Sequence, residues 1–334
     1  MARSHIQFFR AKFHLILFSL FIISSCNNQE IKPSSAGKSG ELLVVIDTSL
    51  WNGELGELLR DSVATSIAGL PQQEPAFRLI SINESEFKNI LKLHRNILRV
   101  AIEDSLKDRN YLLGEKRNVW AKNQLVLSLT ATDNTWLEAG ILTFSKTIKD
   151  KFIQEDRSRM ISGYSKLASA SINTELENSF FLNIPVTNDF FIASKNESYV
   201  WIRRETEHVS LGIQICRIPF VGDSMFTLNR MIGLRDSISQ LYIPGPSDGS
   251  YMVTELKYPP VSASYSIGEN YTFELKGLWK TNGDFMGGPF TSYLIHDQKR
   301  SDLIMIDTFI FSPKFDKRDY VRQLDAIIHG IELM

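Results

Sequence analysis

The sequence predicts an α+β protein, with an N-terminal α/β half built on a mixed sheet and a C-terminal half of antiparallel sheet. Three observations carry this reading. Up to about residue 180, short continuous apolar runs such as Leu42-Leu43-Val44-Val45-Ile46 alternate with helical stripes, as buried strands and their covering helices do. Beyond that point Val209, Leu211, Ile213 and Ile215 interleave with Ser210, Gly212, Gln214 and Cys216, the pattern of a half-buried antiparallel strand. Of the 334 residues, 43% are hydrophobic and 11% aromatic, enough for a large core.

Taken in order, residues 1–25 read as an address. Arg3, His5, Arg10 and Lys12 form a positive region. The apolar run Phe13–Ile23, broken only by Ser19, is about half the ~20 residues of a membrane-spanning helix. It ends in Ile23-Ser24-Ser25-Cys26, a match to the bacterial lipobox, so cleavage before Cys26 and lipidation of its thiol are expected. Anchoring by more than one acyl chain is stable, at ~0.8 kcal/mol per buried methylene. Loss of Arg3, Arg10 and Lys12 turns the formal charge of −1 into −4. Residues 26–40 are polar apart from Ile31 and lack periodicity, which predicts a flexible tether. Gly37-Lys38-Ser39 fails as a phosphate loop: Lys32 stands where the motif needs its first glycine, and a strand follows instead of a helix.

Residues 41–180 form the first predicted region. A strand over Glu41–Asp47 is followed by a turn at Trp51-Asn52-Gly53. A helix over Glu54–Ala68 carries Leu55, Leu58, Leu59, Val63 and Ile67, and stops at Gly69 and Pro71. Phe77–Ile82 reads as a strand. Asn83 with Glu86 forms a capping box for a short helix bearing Phe87, Ile90 and Leu91. Strands follow at Ile97–Ile102 and Leu125–Leu129. Asp133 then caps a long helix with the stripe Leu137, Ile141, Phe144, Ile148 and Phe152, continuing with a break to about Asn178.

Residues 181–334 form the second. Tyr199–Arg204 pairs with the alternating strand across Glu205-Thr206-Glu207, and a helix with Leu228, Met231, Ile232, Arg235 and Ile238 follows. Gln240–Ser264, rich in Pro, Gly, Ser and Tyr, reads as a long loop. Tyr271, Phe273 and Leu275 mark another strand. Phe290–Ile295 and Leu303–Phe311 form a hairpin across Asp297–Ser301, and a helix with Val321, Leu324, Ile328 and Ile331 closes the chain. Strand-strand-strand-helix thus appears twice, at about 188–239 and 270–332, which predicts a diverged internal repeat.

The near-neutral charge, with 37 basic against 38 acidic residues, excludes a nucleic-acid footprint. Two cysteines build neither a disulfide scaffold nor a Cys-rich zinc site. His94, His208, His296 and His329 have no metal-ligand spacing, and no Gly-x-Ser-x-Gly elbow occurs, so neither metal nor other cofactor is expected. Cys216 and His208 lie eight residues apart on one predicted strand. That is roughly 26 Å, so they form no dyad and Cys216 reads as a structural thiol. His94-Arg95-Asn96 is either a helix C-terminus whose cations bond the last carbonyls or the edge of a cleft. The stretch with Gly277, Trp279, Asp284, Phe285, Met286, Gly287, Gly288 and Pro289 is either a hairpin connection with tucked-in aromatics or a surface for a peptide, glycan or partner.

Gly40-Glu41-Leu42-Leu43-Val44-Val45, Leu70-Pro71-Gln72-Gln73-Glu74-Pro75-Ala76-Phe77, His94-Arg95-Asn96-Ile97 and Gly277-Leu278-Trp279, with Met286-Gly287-Gly288-Pro289-Phe290 and the lipobox, resemble the Bacteroidota lipoproteins of domain of unknown function 4837. The resemblance spans the chain after Cys26 and implies an envelope lipoprotein of that phylum. It brings no activity, substrate or catalytic residue. Surface display in that phylum follows an acidic run after the acceptor cysteine. Here only Glu30 is acidic, which favours the periplasmic face of the outer membrane.

The expectation is a non-catalytic lipoprotein, held to the membrane by lipid on Cys26, that binds an envelope protein or polymer and no nucleic acid. Its expected binding surface joins Trp279, Asp284, Phe285, Met286, Gly287 and Gly288 with His94, Arg95 and Asn96. The alternative is a hydrolase of peptidoglycan or glycan using Asp284 with His94 or His296 as acid and base.

Overall fold

The computed structural model describes residues 32–104, 106 and 109–334. The expected signal peptide, the lipobox match and the expected acceptor Cys26 lie outside the described residues. Among the described residues, no helix is long and apolar enough to cross a membrane.

The first region is a five-stranded sheet in the order β2-β1-β3-β5-β4. β1 (Glu41–Val45) lies between β2 (Arg78–Ile82) and β3 (Asn96–Ile102) and runs parallel to both; β3 is parallel to β5 (Leu125–Ala131), and β4 (Tyr111–Arg117) is antiparallel to β5. β1 is continuously apolar because both of its faces are covered. Leu42 and Val44 pack toward α2 (Glu54–Val63) and α3 (Asn134–Ser165), while Leu43 and Val45 meet Phe87, Ile97 and Val126 on the other side. The expected turn at residues 51–53 is the end of a one-turn helix, α1 (Thr48–Trp51), capped by Asn52. The Asn83 capping box is present, but the short helix is a pair of 3-10 turns, Glu84–Glu86 and Asn89–Leu93. Asp133 caps α3 by accepting from the Trp136 amide at 2.9 Å.

Two sequence expectations fail here. β4 was not foreseen, because an edge strand covered on one side needs little apolar patterning. The flexible tether does not hold for residues 32–40, which are stitched to the sheet's margin by backbone bonds. Ser34 and Ala36 form parallel bridges with Lys122 and His94, and the Ala36 amide donates to the Leu93 carbonyl at 2.7 Å.

The second region is an eight-stranded sheet in the order β10-β12-β13-β14-β9-β8-β7, with β11 also paired to β12 and every pairing antiparallel. The strands are β7 (Phe191–Lys195), β8 (Tyr199–Glu205), β9 (Ser210–Pro219), β10 (Tyr251–Thr254), β11 (Val261–Ile267), β12 (Asn270–Asn282), β13 (Gly287–Asp297) and β14 (Asp302–Phe311). One face, with Val200, Ile213, Ile215, Tyr293, Ile304 and Ile306, is covered by α4 (Ala170–Phe180) and α6 (Arg318–His329). The other, with Leu275, Phe290, Leu294, Met305 and Phe309, is covered by α5 (Leu228–Tyr242). Both strand-strand-strand-helix units are present, β7-β8-β9-α5 and β12-β13-β14-α6. The second also has β10 and β11, within the stretch expected to be a loop.

The boundary expected at residue 180 shifts, because Ile172, Leu176 and Phe180 of α4 pack into the core of the eight-stranded sheet. The two regions meet along α3 and α6. The Glu74 carboxylate accepts from the amides of Lys317 (2.9 Å) and Arg318 (2.7 Å), capping α6 from the opposite region. Arg157 pairs with Asp325 at 2.7 Å, and Arg322 reaches Asp156 at 3.3 Å. β6 (Leu182–Asn183) pairs with the terminal β15 (Glu332–Leu333).

Candidate functional site

On the face that α5 covers, side chains line up across the ladder in the row Arg203, Gly212, Phe309, Phe290, Gly277. α5 ends at Tyr242, so the rim of the sheet beyond it lies open. The result is a groove of about 380 Å³. Trp201, Trp279, Phe309 and Phe311 line it, the segment Ile243–Pro246 and Met286 flank it, and Arg203, Glu205 and Ser210 complete its lining.

Two strand glycines make that floor. A Cβ on Gly212 would lie 2.2 Å from Phe309 Cζ, so only glycine lets that ring cross the neighbouring strand. A Cβ on Gly288 would lie 2.0 Å from the Ile310 carbonyl oxygen and 3.0 Å from Trp279 Nε1. Its absence lets the indole donate to the Ile310 carbonyl at 3.2 Å. The rings touch in series: Trp201 and Phe309 centroids are 6.3 Å apart, Trp279 and Phe309 6.0 Å, and Trp279 and Phe311 6.3 Å. Arg203 stacks on Trp201 with Cζ 4.5 Å from the ring centroid and pairs with Glu205. Trp201 Nε1 and Arg203 Nε are buried donors without a hydrogen-bond partner among the described residues. A concave aromatic wall with a few polar groups at one end suits an apolar ligand.

Beneath α5 lies a closed polar network. Arg235, fully buried, donates to Asp307 at 2.9 Å and to the Thr254 hydroxyl at 3.2 Å, with its guanidinium 3.8 Å from the Phe290 ring centre. Gln214 donates to Asp307 at 3.1 Å, Ser292 donates to the same carboxylate, and the Tyr199 hydroxyl donates to Gln214 at 3.0 Å. Burial raises the Asp307 carboxyl above its ordinary pKa, against the pull of Arg235 and Ser292. These bonds fix the sheet under the groove, and the network is walled off from solvent.

The expected binding residues fall into three groups. Trp279 and Met286 line the groove, with Trp279 buried as a structural wall. Asp284 and Phe285 form the β12–β13 turn beside it: Asp284 accepts from the Ser247 hydroxyl at 2.5 Å, which holds its pKa below the usual carboxylate value, and Phe285 is fully exposed. Gly287 and Gly288 act through the space they leave. His94, Arg95 and Asn96 stand at the start of β3 in the other region and share no surface with the groove. Asn96 is fully buried and donates to Asp156 at 3.1 Å; His94 donates from Nδ1 to the Asn96 carbonyl at 2.9 Å, and burial lowers its pKa.

The acid–base set for hydrolysis does not assemble. Asp284 is at the turn before Gly287, whereas His296 is at the far end of the same strand, roughly 30 Å away at ~3.3 Å per residue. There His296 lies against Phe220, with centroids 4.4 Å apart. Burial pushes the Cys216 thiol up to about 11, which makes it unreactive. Among the described residues no cluster of three or more His, Cys, Asp or Glu is placed to hold a metal ion.

Trp201, Arg203, Phe309 and Phe311 were missed, because each reads as an ordinary member of an alternating strand. The available signal was Gly212, a glycine inside a strong strand pattern, which marks a close approach to its backbone.

No curated protein matches the chain in sequence. Among solved structures, LpqN of Mycobacterium tuberculosis, described as involved in cell envelope biogenesis, is similar over 45% of this chain and 81% of its own, at 11% identity and a TM-score of 0.29. The Ran-binding protein Mog1p of Saccharomyces cerevisiae is similar over 46% of this chain and 90% of its own, at 11% identity and a TM-score of 0.31. Residues 35–165 match the Domain of unknown function DUF8532, and residues 169–330 match the Domain of unknown function DUF4837. The two matches lie in series along the chain, one over each sheet.

Proposed function

We propose that this protein is a non-catalytic envelope lipoprotein, anchored through Cys26 at the periplasmic face of the outer membrane, that holds an apolar extended segment of a partner protein in the aromatic groove. The observation that carries the reading is the meeting of Trp201, Phe309, Phe311 and Trp279 in one concavity whose lining also includes Arg203, Glu205 and Ser210. An extended peptide supplies apolar side chains for the rings and backbone polar groups for Arg203, Glu205 and Ser210 at the lining. The Pro244 and Pro246 wall adds a rigid flank at low entropic cost. The lipobox supports the location.

The test is a displayed library of short peptides selected against the full chain, with binding read from tryptophan fluorescence. Trp201→Ala is expected to weaken the selected peptides at least tenfold while preserving the fold. Trp279→Ala is unsuited, since removing that buried ring collapses the wall. Selection of no peptide, or equal binding by Trp201→Ala, overturns the reading.

A further inference from the structure

We propose that a second cavity, between the N-terminal segment and α3, is a binding site for a phosphate-class oxyanion with Arg95 as its cation. It measures about 380 Å³ and is lined by Ser34, Arg95, Glu155, Ser158, Arg159 and Ser162 among others. The ordering of residues 34–36 builds its outer wall, because the Arg95 amide donates to the Ala36 carbonyl at 2.8 Å.

The charges in it are unevenly committed. Arg159 is fully engaged, donating to Asp156 and to the Asn96 side chain at 2.8 Å each and to the Asn123 carbonyl at 2.8 Å. Glu155 has one oxygen on Arg117 and the other 3.4 Å from Arg159. Arg95 has no acidic partner among the described residues, and its Nε is buried with no hydrogen-bond partner. With Nε closed off, the terminal nitrogens of Arg95 are the donors that remain for a ligand in the cavity it lines. The lining carries two cations, Arg95 and Arg159, against one carboxylate, Glu155, so the cavity walls hold positive charge in excess. The guanidinium fork matches a tetrahedral oxyanion, and the surrounding hydroxyls suit its remaining oxygens.

Two sources offer this chemistry, a free phosphate ester and the phosphodiester headgroup of a phospholipid. Ser34 is eight residues from Cys26, at most ~27 Å of extended chain, so an anchored molecule brings headgroups within reach. Calorimetry on the full chain with inorganic phosphate and with glycerophosphoglycerol, the chain-free headgroup of phosphatidylglycerol, tests the site. Saturable binding of either is expected, and tighter binding of one identifies the source. Arg95→Gln should weaken it at least tenfold. Ser158→Asp, which introduces a negative charge at an exposed rim position, should do the same without touching the fold, and it carries the test if Arg95→Gln does not fold. No saturation by either probe, or wild-type affinity in folded Arg95→Gln and Ser158→Asp, overturns the proposal.

Discussion

Asp156 in the first region and Asp307 in the second are both buried among several polar partners, and the two networks are built differently. Asp307 stands mid-strand at the centre of its sheet, and its partners come from the adjoining strands and the covering helix: Gln214, Ser292 and Arg235. Asp156 stands on α3 at the margin of the other sheet. Its partners come from separate segments: the Gly40 amide at 2.9 Å, Asn96 at 3.1 Å, Arg159 at 2.8 Å, and Arg322 of the opposite region at 3.3 Å. The same chemistry therefore does two jobs. Asp307 fixes one sheet internally, whereas Asp156 latches the N-terminal segment, the first sheet and α6 together.

The largest expected effects test this contrast directly. Removing one member of a buried ion pair strands the other, so Asp307→Ala and Asp156→Ala should each cost about 3–5 kcal/mol in urea unfolding. Their transitions should differ. Asp156→Ala releases the latch, so fluorescence and circular dichroism should unfold in two separated steps. Asp307→Ala should leave one coincident transition at lower urea. A single coincident transition for Asp156→Ala would erase the distinction. Replacing both Arg235 and Asp307, as Arg235→Met with Asp307→Leu, should restore much of the loss, since no charge is then stranded.

Next is Gly212→Ala, whose methyl would collide with Phe309. Overpacking of this kind costs about 1–3 kcal/mol. The same displacement should disturb the groove floor, so peptide binding and stability should fall together. Glu74→Gln acts at the junction. It keeps the shape but removes the charge that caps α6, with an expected loss of about 1 kcal/mol, read from the urea midpoint.

How much of this was legible in sequence follows from what each residue has to satisfy. β1 was plain because a strand covered on both faces leaves a continuous apolar run. The strand at 210–219 was plain because Leu211, Ile213 and Ile215 alternate with Ser210, Gly212 and Gln214, and the strand at 199–205 followed as its hairpin partner across a short polar turn. β11, Val-Ser-Ala-Ser-Tyr-Ser-Ile, was not: it is held by backbone pairing to β12, and its side chains are mostly exposed. Asp156 could have been found. It falls four residues after Phe152, on the same stripe, where an apolar residue is due and a carboxylate stands. The groove was half legible, since Trp279 and Met286 sit beside conspicuous glycines. The other lining residues come together only through the β8-β9-β14 register, which no local pattern specifies.

A pH titration sharpens the comparison through one histidine in each region. Burial lowers the pKa of both His94, which faces Glu41, Arg95 and Asp156, and His329, which faces Asp325, Arg157 and Glu274. An unfolded histidine takes up its proton near pH 6.5, and the folded ones do so at lower pH, so the unfolded state then holds more protons. Stability is therefore full above pH 6.5 and is lost as pH falls through the folded values, by at most about 1.4 kcal/mol per pH unit per histidine. His94→Gln should remove its share of the slope in urea midpoints between pH 7.5 and 5.5; an unchanged slope would assign the whole effect to His329.

The smallest stability effect belongs to Phe285→Ala. The ring is fully exposed at the tip of the β12–β13 turn, so nothing in the folded core depends on it, and the urea midpoint should move by less than about 0.5 kcal/mol. Yet an exposed phenylalanine costs solubility and needs a compensating use. Asp284 stiffens the turn by holding Ser247 and the Phe285 amide, which aims the ring beside the groove at little entropic cost. Loss of peptide affinity without loss of stability would separate function from fold at a single side chain, and Trp279→Ala cannot provide that. Equal affinity in Phe285→Ala would confine recognition to the groove itself, between Trp201 and Phe311.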